Sequence, residues 1–380
     1  MSYQKPSTSP GLRLHFNENT GGCSPAVLEA LRSIGREDVG FYPDYAEITR
    51  ATERYFGVEP GWVQLTNGLD EGLHVAAQLA ANKARTSTET GSDSLSDRAQ
   101  TSTDPGPGPA FATRGQAPST SRPEPVVVVE PAFEMYAASA EAVGLGALHI
   151  QPEEDFRFPL EAILAAVGPQ TRLIYLTDPN NPTGLPIPPG AVEQIAGAAP
   201  HVMVLVDEAY AEFSGRTFIG PALDRHRNLV VGRTFAKAHG LAALRVGALV
   251  AHPDTLAPIR RILPPYSLNI AAVRALAAAL QTPDYLEQYV AQSQESRRLI
   301  CAACDRHGFK YWPSEANFVL FRVGPDAAWI AMELAARGVL IRDRSASPGC
   351  GGCLRVTAGI VTHTRILLSA LEVVLASRPR

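Results

Sequence analysis

The sequence lacks the features that mark membrane, secreted or nucleic-acid-binding proteins. Its 380 residues contain no apolar run long enough to span a bilayer, and the first residues, MSYQKPSTSPG, lack the apolar core of a secretory signal. The 34 lysines and arginines are outnumbered by 38 aspartates and glutamates and form no basic tail or stripe. The net charge of -4 therefore gives no general attraction to nucleic acid or acidic membranes. We expect a cytoplasmic protein.

Cysteine is also scarce, with five in the whole chain, which does not indicate a disulfide framework. Two C-x-x-C pairs, Cys301 with Cys304 and Cys350 with Cys353, have the local spacing of a structural zinc site, but the gap between the pairs is too long. The first pair also lies in SRRLICAACDRHGF, whose apolar pattern predicts an amphipathic helix. We therefore expect no bound metal.

The composition changes abruptly between residues 84 and 125. Ser, Thr, Pro and Gly replace aliphatic residues there, so the segment cannot bury enough apolar area to offset the entropy lost on ordering. A periodic pattern continues on either side. We therefore interpret 84–125 as a disordered surface insertion and not as a domain linker.

Elsewhere, helical patterns such as LEAILAAVG and AVEQIAGAA alternate with short apolar runs. These runs are typical of strands covered on both faces: VVVVE (126–130), LIYLTD (173–178), VMVLVDE (202–208), LVVGRTF (229–235) and VGALVAH (246–252). The alternation predicts an α/β fold with a large, doubly wound and mostly parallel sheet domain at 39–264. From 265 to 380 a long helix followed by short strands predicts a smaller α+β domain, which the N-terminal segment 1–38 joins.

Polar residues follow several of the predicted strands, at the edge of the sheet where open α/β folds bind ligands. Lys237 could be an ordinary surface lysine, but in a low-dielectric cleft its pKa would fall and its amine could form a Schiff base with an aldehyde. Asp207 ends a strongly apolar strand, where a carboxylate needs a cationic or hydrogen-bonding partner. A protonated pyridine nitrogen would be such a partner.

A possible anion site lies in TNGLDEGL. Gly68 stands at a strand-to-helix turn, so the free amides of Gly68, Leu69 and Asp70 can face an anion at the start of the helix. Arg245 is an isolated charge in apolar surroundings, and its guanidinium suits a bidentate phosphate contact. A structural salt bridge is the simpler interpretation of Arg245.

At these residues the chain resembles the fold-type I, class I/II aminotransferases that use pyridoxal 5'-phosphate (PLP), and among them the histidinol-phosphate aminotransferase group. The resemblance covers nearly all of the chain outside the insertion, and the motifs that carry it follow the family order: NEN, the YP pair, NGLDEGL, PAFEMY, DPNNPTG, DEAYAEF, RTFAKAHGLAALRVG, ANFVL, LIRDR and GCLRVTAG. It implies a PLP-dependent transferase.

The resemblance implies a role for each matching residue. Lys237, Asp207 and Tyr210 would be catalytic, with Lys237 as the Schiff-base lysine and Asp207 as the partner of the pyridine nitrogen. Asn181 and Tyr210 would donate to the ring hydroxyl. Phe133 would stack on the cofactor ring, although ordinary core packing would also explain it.

The resemblance also places the cofactor phosphate among Gly68, Leu69, Asp70, Thr234 and Arg245. Tyr42 would reach the cofactor and substrate from a neighbouring subunit, which implies a homodimer. Many relatives have a serine before the lysine that donates to this phosphate, whereas this chain has Ala236. The loss of that charge-assisted hydrogen bond would cost about 1.5 to 3 kcal/mol unless Thr234 or water replaces it.

For the substrate, the resemblance assigns Arg355 to an acidic group, with Arg342 beside it and with Asn181 and Tyr42 as further contacts. Two arginines suit a phosphate better than a lone carboxylate, although Arg342 could instead pair with Asp343. The implied reaction exchanges an amino group between L-histidinol phosphate and 2-oxoglutarate. An aromatic amino acid aminotransferase, a threonine-phosphate decarboxylase and a non-catalytic PLP-binding sensor domain remain alternatives.

Overall fold

The computed structural model describes the backbone of residues 11–89 and 126–377, and the side chains of 11–83 and 126–377. The strands are β1 (Leu12–Arg13), β2 (Val63–Thr66), β3 (Val126–Val129), β4 (Ala147–Ile150), β5 (Leu173–Thr177), β6 (Met203–Asp207), β7 (Leu229–Thr234), β8 (Gly247–Val250), β9 (Lys310–Tyr311), β10 (Phe318–Arg322), β11 (Val339–Leu340), β12 (Arg342–Asp343) and β13 (Cys353–Thr357).

The helices connect and cover these strands. They are α1 (Pro25–Arg32), α2 (Arg36–Gly40), α3 (Ala46–Phe56), α4 (Gly68–Glu89), α5 (Met135–Ala142), α6 (Leu160–Ala166), α7 (Ala191–Ala198), α8 (Ala211–Ser214), α9 (Pro221–Arg225), α10 (Pro253–Ile262), α11 (Ile270–Leu280), α12 (Pro283–His307), α13 (Ala327–Ala336) and α14 (Val361–Ala376).

Seven strands form the large sheet, in the order β2-β8-β7-β6-β5-β3-β4. The pairs from β4 to β7 are parallel, and β8 runs antiparallel to both β7 and β2. In this register Thr177 pairs with Asp207, and Asp207 pairs with Gly232. The parallel strands therefore end side by side at one edge of the sheet.

The large sheet is covered on both faces, which explains its continuous apolar strands. All residues of β6, β7 and β8 are buried. One hydrophobic cluster contains α7 and α11, and the other contains α4 and α5. Helices on both faces remove both sets of strand side chains from water, so the strands do not alternate between apolar and polar residues. This is the α/β architecture that the sequence predicts.

The C-terminal part of the chain builds a second, four-stranded sheet in the order β12-β13-β10-β9. The N-terminal β1 pairs in parallel with β11, with Leu12 opposite Val339. Helix α11, which follows the predicted domain boundary at 264, shares the hydrophobic cluster of the large sheet. The boundaries at 38 and 264 stay predictions.

Two features of the helices differ from the sequence prediction. The long helix expected after residue 265 is two helices, because Pro283 has no N–H to continue α11 and instead begins α12. Helix α4 extends to Glu89, six residues into the segment predicted to be disordered, since propagating a formed helix costs little. Residues 90–125 of that segment lie outside the described part of the chain. Among the described residues, no helix has the length and apolar character needed to cross a membrane.

Candidate active site

A cavity of about 200 Å³ opens where the parallel strands end. Thr177, Asp207 and Thr234, the last residues of β5, β6 and β7, line it together with the start of α4. Residues 15–17 of the N-terminal segment and arginines of the C-terminal part line the remainder. The site therefore needs three distant parts of the chain.

Lys237 and Asp207 line this same cavity. The Lys237 amine donates a hydrogen bond to the backbone oxygen of Phe16, at 3.0 Å. Burial, and next the charge of Arg355, lower the pKa of Lys237 to about 8. Burial raises the pKa of Asp207 to about 6, against the opposing effect of its hydrogen bonds. At pH 7 the site therefore holds an unusually acidic lysine and a carboxylate that remains mostly ionised.

Tyr210 and Asn181, the predicted donors to the cofactor ring hydroxyl, also line the cavity. The Tyr210 hydroxyl accepts a hydrogen bond of 3.0 Å from Asn17 Nδ2, which leaves its own proton free to donate. Asn181 Oδ1 accepts a hydrogen bond from Arg355, so the amide nitrogen is its remaining polar group. Phe133 lines the cavity and meets Tyr136 edge to face.

The predicted phosphate residues meet at the start of α4. Arg245 donates to Asp70 Oδ2 at 2.9 Å, so the salt bridge considered for Arg245 is present. Gly68 has φ +73°, and a Cβ there would lie 2.4 Å from Arg245 Nη2, so both its backbone and its surroundings require glycine. Leu69, Asp70, Thr234 and Arg245 line the cavity.

Thr234 lies close to Ala236, the position where many relatives have a serine. Its hydroxyl oxygen accepts the Ala236 backbone N–H at 3.2 Å, and its proton is free to donate to an anion. Thr234 is buried and lies on the cavity wall. The chain therefore offers a hydroxyl donor two residues before the position where many relatives carry one.

The predicted substrate arginines lie opposite each other, because Arg342 of β12 pairs with Arg355 of β13. Both line the cavity. Arg355 also donates to the backbone oxygen of His15 at 2.7 Å. The simpler interpretation of Arg342 is an ion pair with Asp343. Asp343 instead accepts hydrogen bonds from the backbone N–H and the hydroxyl of Ser345.

Tyr42 does not line the cavity of its own chain. It is 77% exposed and stacks on Tyr266 with ring centroids 4.2 Å apart. A role for Tyr42 in the active site would therefore require a second copy of the chain.

Known proteins resemble this chain in both sequence and structure. The family model described as "Aminotransferase class I and II" matches residues 112–371. Histidinol-phosphate aminotransferase 2 of Ralstonia nicotianae is 33% identical over 374 residues, which cover 96% of this chain and 89% of that protein. Histidinol-phosphate aminotransferase of Rhodospirillum centenum is 32% identical over 378 residues, covering 97% and 93%. This chain belongs to the class I and II aminotransferase family.

A solved structure supports the fold assignment. Histidinol-phosphate aminotransferase from Sinorhizobium meliloti, in complex with pyridoxal-5'-phosphate, matches with a TM-score of 0.79 at 26% identity, covering 97% of this chain and 91% of that one. The fold is therefore fold type I. Aminotransferases of class I and II use PLP, so the protein is a PLP-dependent enzyme.

The cavity of this aminotransferase has the chemical groups that PLP requires. It contains an amine whose lowered pKa leaves more of it neutral than in an ordinary lysine, a buried carboxylate for a pyridine nitrogen, and an arginine at a helix N-terminus for a phosphate. Lys237 and Asp207 are not each other's hydrogen-bond partner: Lys237 Nζ contacts Phe16, and the Asp207 carboxylate contacts Tyr136 and Ala209. The residues present fit the cofactor.

The aminotransferase site also contains residues that the sequence prediction left without a role. Tyr136 donates to Asp207 Oδ2 at 2.8 Å, and Asn17 holds Tyr210. Arg344, which is 6% exposed, lines the cavity. The spacing carried some signal, since Tyr136 follows Phe133 by three residues at a helix start, and Arg344 follows Arg342 by two in an extended segment.

The C-x-x-C pairs lie away from this chemistry. Cys301 and Cys304 belong to α12, as the helical pattern predicts, and Cys350 and Cys353 are buried against Trp312 and Leu320. Within the part of the chain that the structure describes, no group of three or more His, Cys, Asp or Glu side chains could hold a metal ion.

Proposed function

We propose that this aminotransferase transfers the amino group of L-histidinol phosphate to 2-oxoglutarate, giving imidazole-acetol phosphate and L-glutamate. The observation that carries the proposal is the pair of arginines, Arg342 and Arg355, that line the same cavity as Lys237. Two guanidiniums suit a phosphate monoester, which carries nearly two negative charges at neutral pH. The relatives named above, at about one third identity, carry the same substrate in their names.

We propose that PLP lies with Asp207 at its ring nitrogen, Asn181 and Tyr210 at its ring hydroxyl, and Phe133 against its face. Gly68, Leu69, Asp70, Thr234 and Arg245 would surround its phosphate. When bound, PLP supplies an electron sink for the carbon that loses a proton. The neutral amine of Lys237 takes that proton from the amine-bearing carbon of the substrate and returns it later.

The surroundings of Lys237 suit this task. Burial lowers its pKa to about 8, so a substantial fraction of the amine is neutral near physiological pH and can accept a proton. The hydrogen bond to Phe16 directs Nζ toward the N-terminal segment that covers the cavity. Arg355 and Arg342 orient the substrate by its acidic end, and this would hold the reacting carbon near Lys237.

We also propose that the working form is a homodimer in the cytoplasm. The 77% exposed Tyr42 of one subunit would complete the active site of the other. The exposed aromatic and aliphatic side chains beside it, Val39 and Phe41, provide apolar area for such a contact.

The substrate proposal is tested by incubating the PLP-loaded enzyme with L-histidinol phosphate and 2-oxoglutarate. We expect L-glutamate to form, and we expect L-histidinol without its phosphate to react at least about tenfold less efficiently, since it lacks the group that the arginines bind. Preference for phenylalanine or tyrosine would indicate an aromatic aminotransferase. Carbon dioxide released from threonine phosphate would indicate a decarboxylase, and PLP binding without turnover would indicate a sensor domain.

The rate at which the cofactor-free enzyme captures PLP should follow the pKa of Lys237. Only the neutral amine attacks an aldehyde, and the pKa of about 8 lies below that of an ordinary lysine. We expect the second-order capture rate to rise roughly eightfold between about pH 6.5 and 7.5 and to level off above about pH 8.5. Stopped-flow absorbance in phosphate-free buffer measures this rate. A rate that continues to rise to about pH 10 would mean that Lys237 behaves as an ordinary lysine.

The Tyr136 hydroxyl should support cofactor binding through Asp207. The Tyr136 hydroxyl uses its one proton to donate to Asp207 Oδ2. It therefore accepts its second hydrogen bond, of 2.8 Å, from the hydroxyl of Thr177. Tyr136→Phe removes a hydrogen bond to a charged group, and we expect the dissociation constant of PLP to rise about 10- to 100-fold. The control is Tyr175→Phe, whose equally buried hydroxyl donates to the backbone of Leu73. Equal losses in both variants would contradict a role through Asp207.

A further inference from the structure

A third arginine shares the cavity with the two predicted substrate arginines. Arg344 is 6% exposed, and its Nη1 donates to Glu134 Oε1 at 2.7 Å. Within the described ranges, its Nη2 makes only a long contact of 3.5 Å with the backbone oxygen of Ala132. Its buried Nε has no hydrogen-bond partner among the described residues, and neither has the Nε of Arg355. Two buried guanidinium donors therefore lack an acceptor, which is costly unless a ligand supplies one.

The backbone places Arg344 beside the other two arginines. Its N–H donates to the Cys353 oxygen at 2.9 Å, two residues before Arg355 on β13. Burial first, and then the positive charges of Arg344 and Arg342, lower the pKa of Arg355 to about 10. The three guanidiniums are therefore close enough to repel one another.

The charges at this end of the cavity do not cancel. Burial raises the pKa of Glu134, but the charge of Arg344, hydrogen bonds and then the charge of Arg342 together outweigh burial. The pKa of Glu134 therefore lies below its ordinary value, and Glu134 is ionised near pH 7. Among the cavity-lining side chains that the structure describes, Glu134 is thus the one carboxylate that acts on these three guanidiniums, which leaves two positive charges in excess. A phosphate monoester dianion would balance them, whereas a monocarboxylate would balance only one.

We propose that Arg344 is a specificity-determining residue of the substrate site. It supplies a third guanidinium to the phosphate of the substrate. Glu134 holds that guanidinium in place and partly offsets its positive charge. The inference rests on the proposed function and deepens it, since it explains how the site distinguishes a dianionic phosphate ester from a monocarboxylate.

A purely structural role makes a different prediction. Glu134 follows the loop after β3, and Arg344 follows β12, so the ion pair also ties the two sheets together. If the pair is only a tether, removing either partner breaks the same contact and both variants weaken the site alike. If Arg344 binds substrate, removing Glu134 leaves an uncompensated guanidinium that attracts the phosphate more strongly.

The experiment measures competitive inhibition of the PLP-loaded enzyme by ethyl phosphate and by propionate. We expect Arg344→Gln to raise the inhibition constant of ethyl phosphate about 10- to 100-fold, and that of propionate less than about threefold. Glu134→Gln should lower the constant for ethyl phosphate by about threefold or more. Arg344→Lys should recover part of the loss. The exposed Arg298, paired with Glu295, gives a control variant, Arg298→Gln, with both constants unchanged.

The outcomes separate the two proposals. Parallel losses in Arg344→Gln and Glu134→Gln, or equal effects on both inhibitors, overturn the role of Arg344 while leaving the reaction in place. Melting temperatures identify a variant that has lost its fold, and Arg344→Lys then provides the test in its place. A wild-type enzyme that binds ethyl phosphate no better than propionate contradicts the proposed substrate itself.

Discussion

Replacing Lys237 with alanine is expected to reduce turnover by about 10⁴-fold or more, because one residue supplies both the covalent attachment of PLP and the proton carrier. No other lysine lines the described cavity, so no second amine is placed to take over. The cavity itself should persist, since within the described part of the chain the Lys237 side chain makes a single hydrogen bond, to Phe16. The variant should therefore retain weak, non-covalent binding of PLP.

The measurement combines glutamate formation with borohydride reduction and mass spectrometry of the protein. Wild-type enzyme should carry PLP on the peptide that contains Lys237, and Lys237→Ala should carry none. The control is Lys310→Ala, which removes an exposed amine paired with Asp155 and should leave both readouts unchanged. Full activity in Lys237→Ala would show that the proposed mechanism is wrong.

The second large effect is expected from Asp207→Asn, which keeps the shape of the side chain but removes its charge. Breaking a buried ion pair costs about 3 to 5 kcal/mol, which corresponds to roughly 10²- to 5 × 10³-fold in rate if the pair is needed in the transition state. Asp207 is 5% exposed, so solvent has little access to this position and cannot compensate for the lost negative charge. We expect kcat to fall by that factor and PLP to dissociate more readily.

A matched buried aspartate is available at the end of the neighbouring strand. Asp178 is 4% exposed and binds Arg216 and the backbone of Ile187, outside the residues that line the cavity. Asp178→Asn should lower the melting temperature while retaining most of kcat in the folded enzyme. Asp207→Glu, which keeps the charge but misplaces it, should lie between wild type and Asp207→Asn. If Asp178→Asn and Asp207→Asn lose kcat equally, the effect of Asp207 is on folding.

Local patterns predicted the strands well. The runs at 173–178, 202–208 and 229–235 became β5, β6 and β7, because strands buried on both faces need apolar residues at every position. Asp207 and Lys237 could be singled out because carboxyl ends of parallel strands meet at one edge. The family prediction is confirmed by the matching family model and relatives. The roles of individual site residues stay predictions.

The sequence by itself determined the family, the α/β class and the residues at the strand ends, since each depends on a local pattern or a contiguous motif. Only the tertiary structure decided which distant groups meet there. Asn17 reaches Tyr210 across 193 positions, and Glu134 reaches Arg344 across 210. Such contacts follow from how the two sheets and the N-terminal segment close over one cavity. The way these parts meet over the cavity depends on packing between distant helices and strands, and the local periodicity of apolar residues in the sequence does not encode that packing.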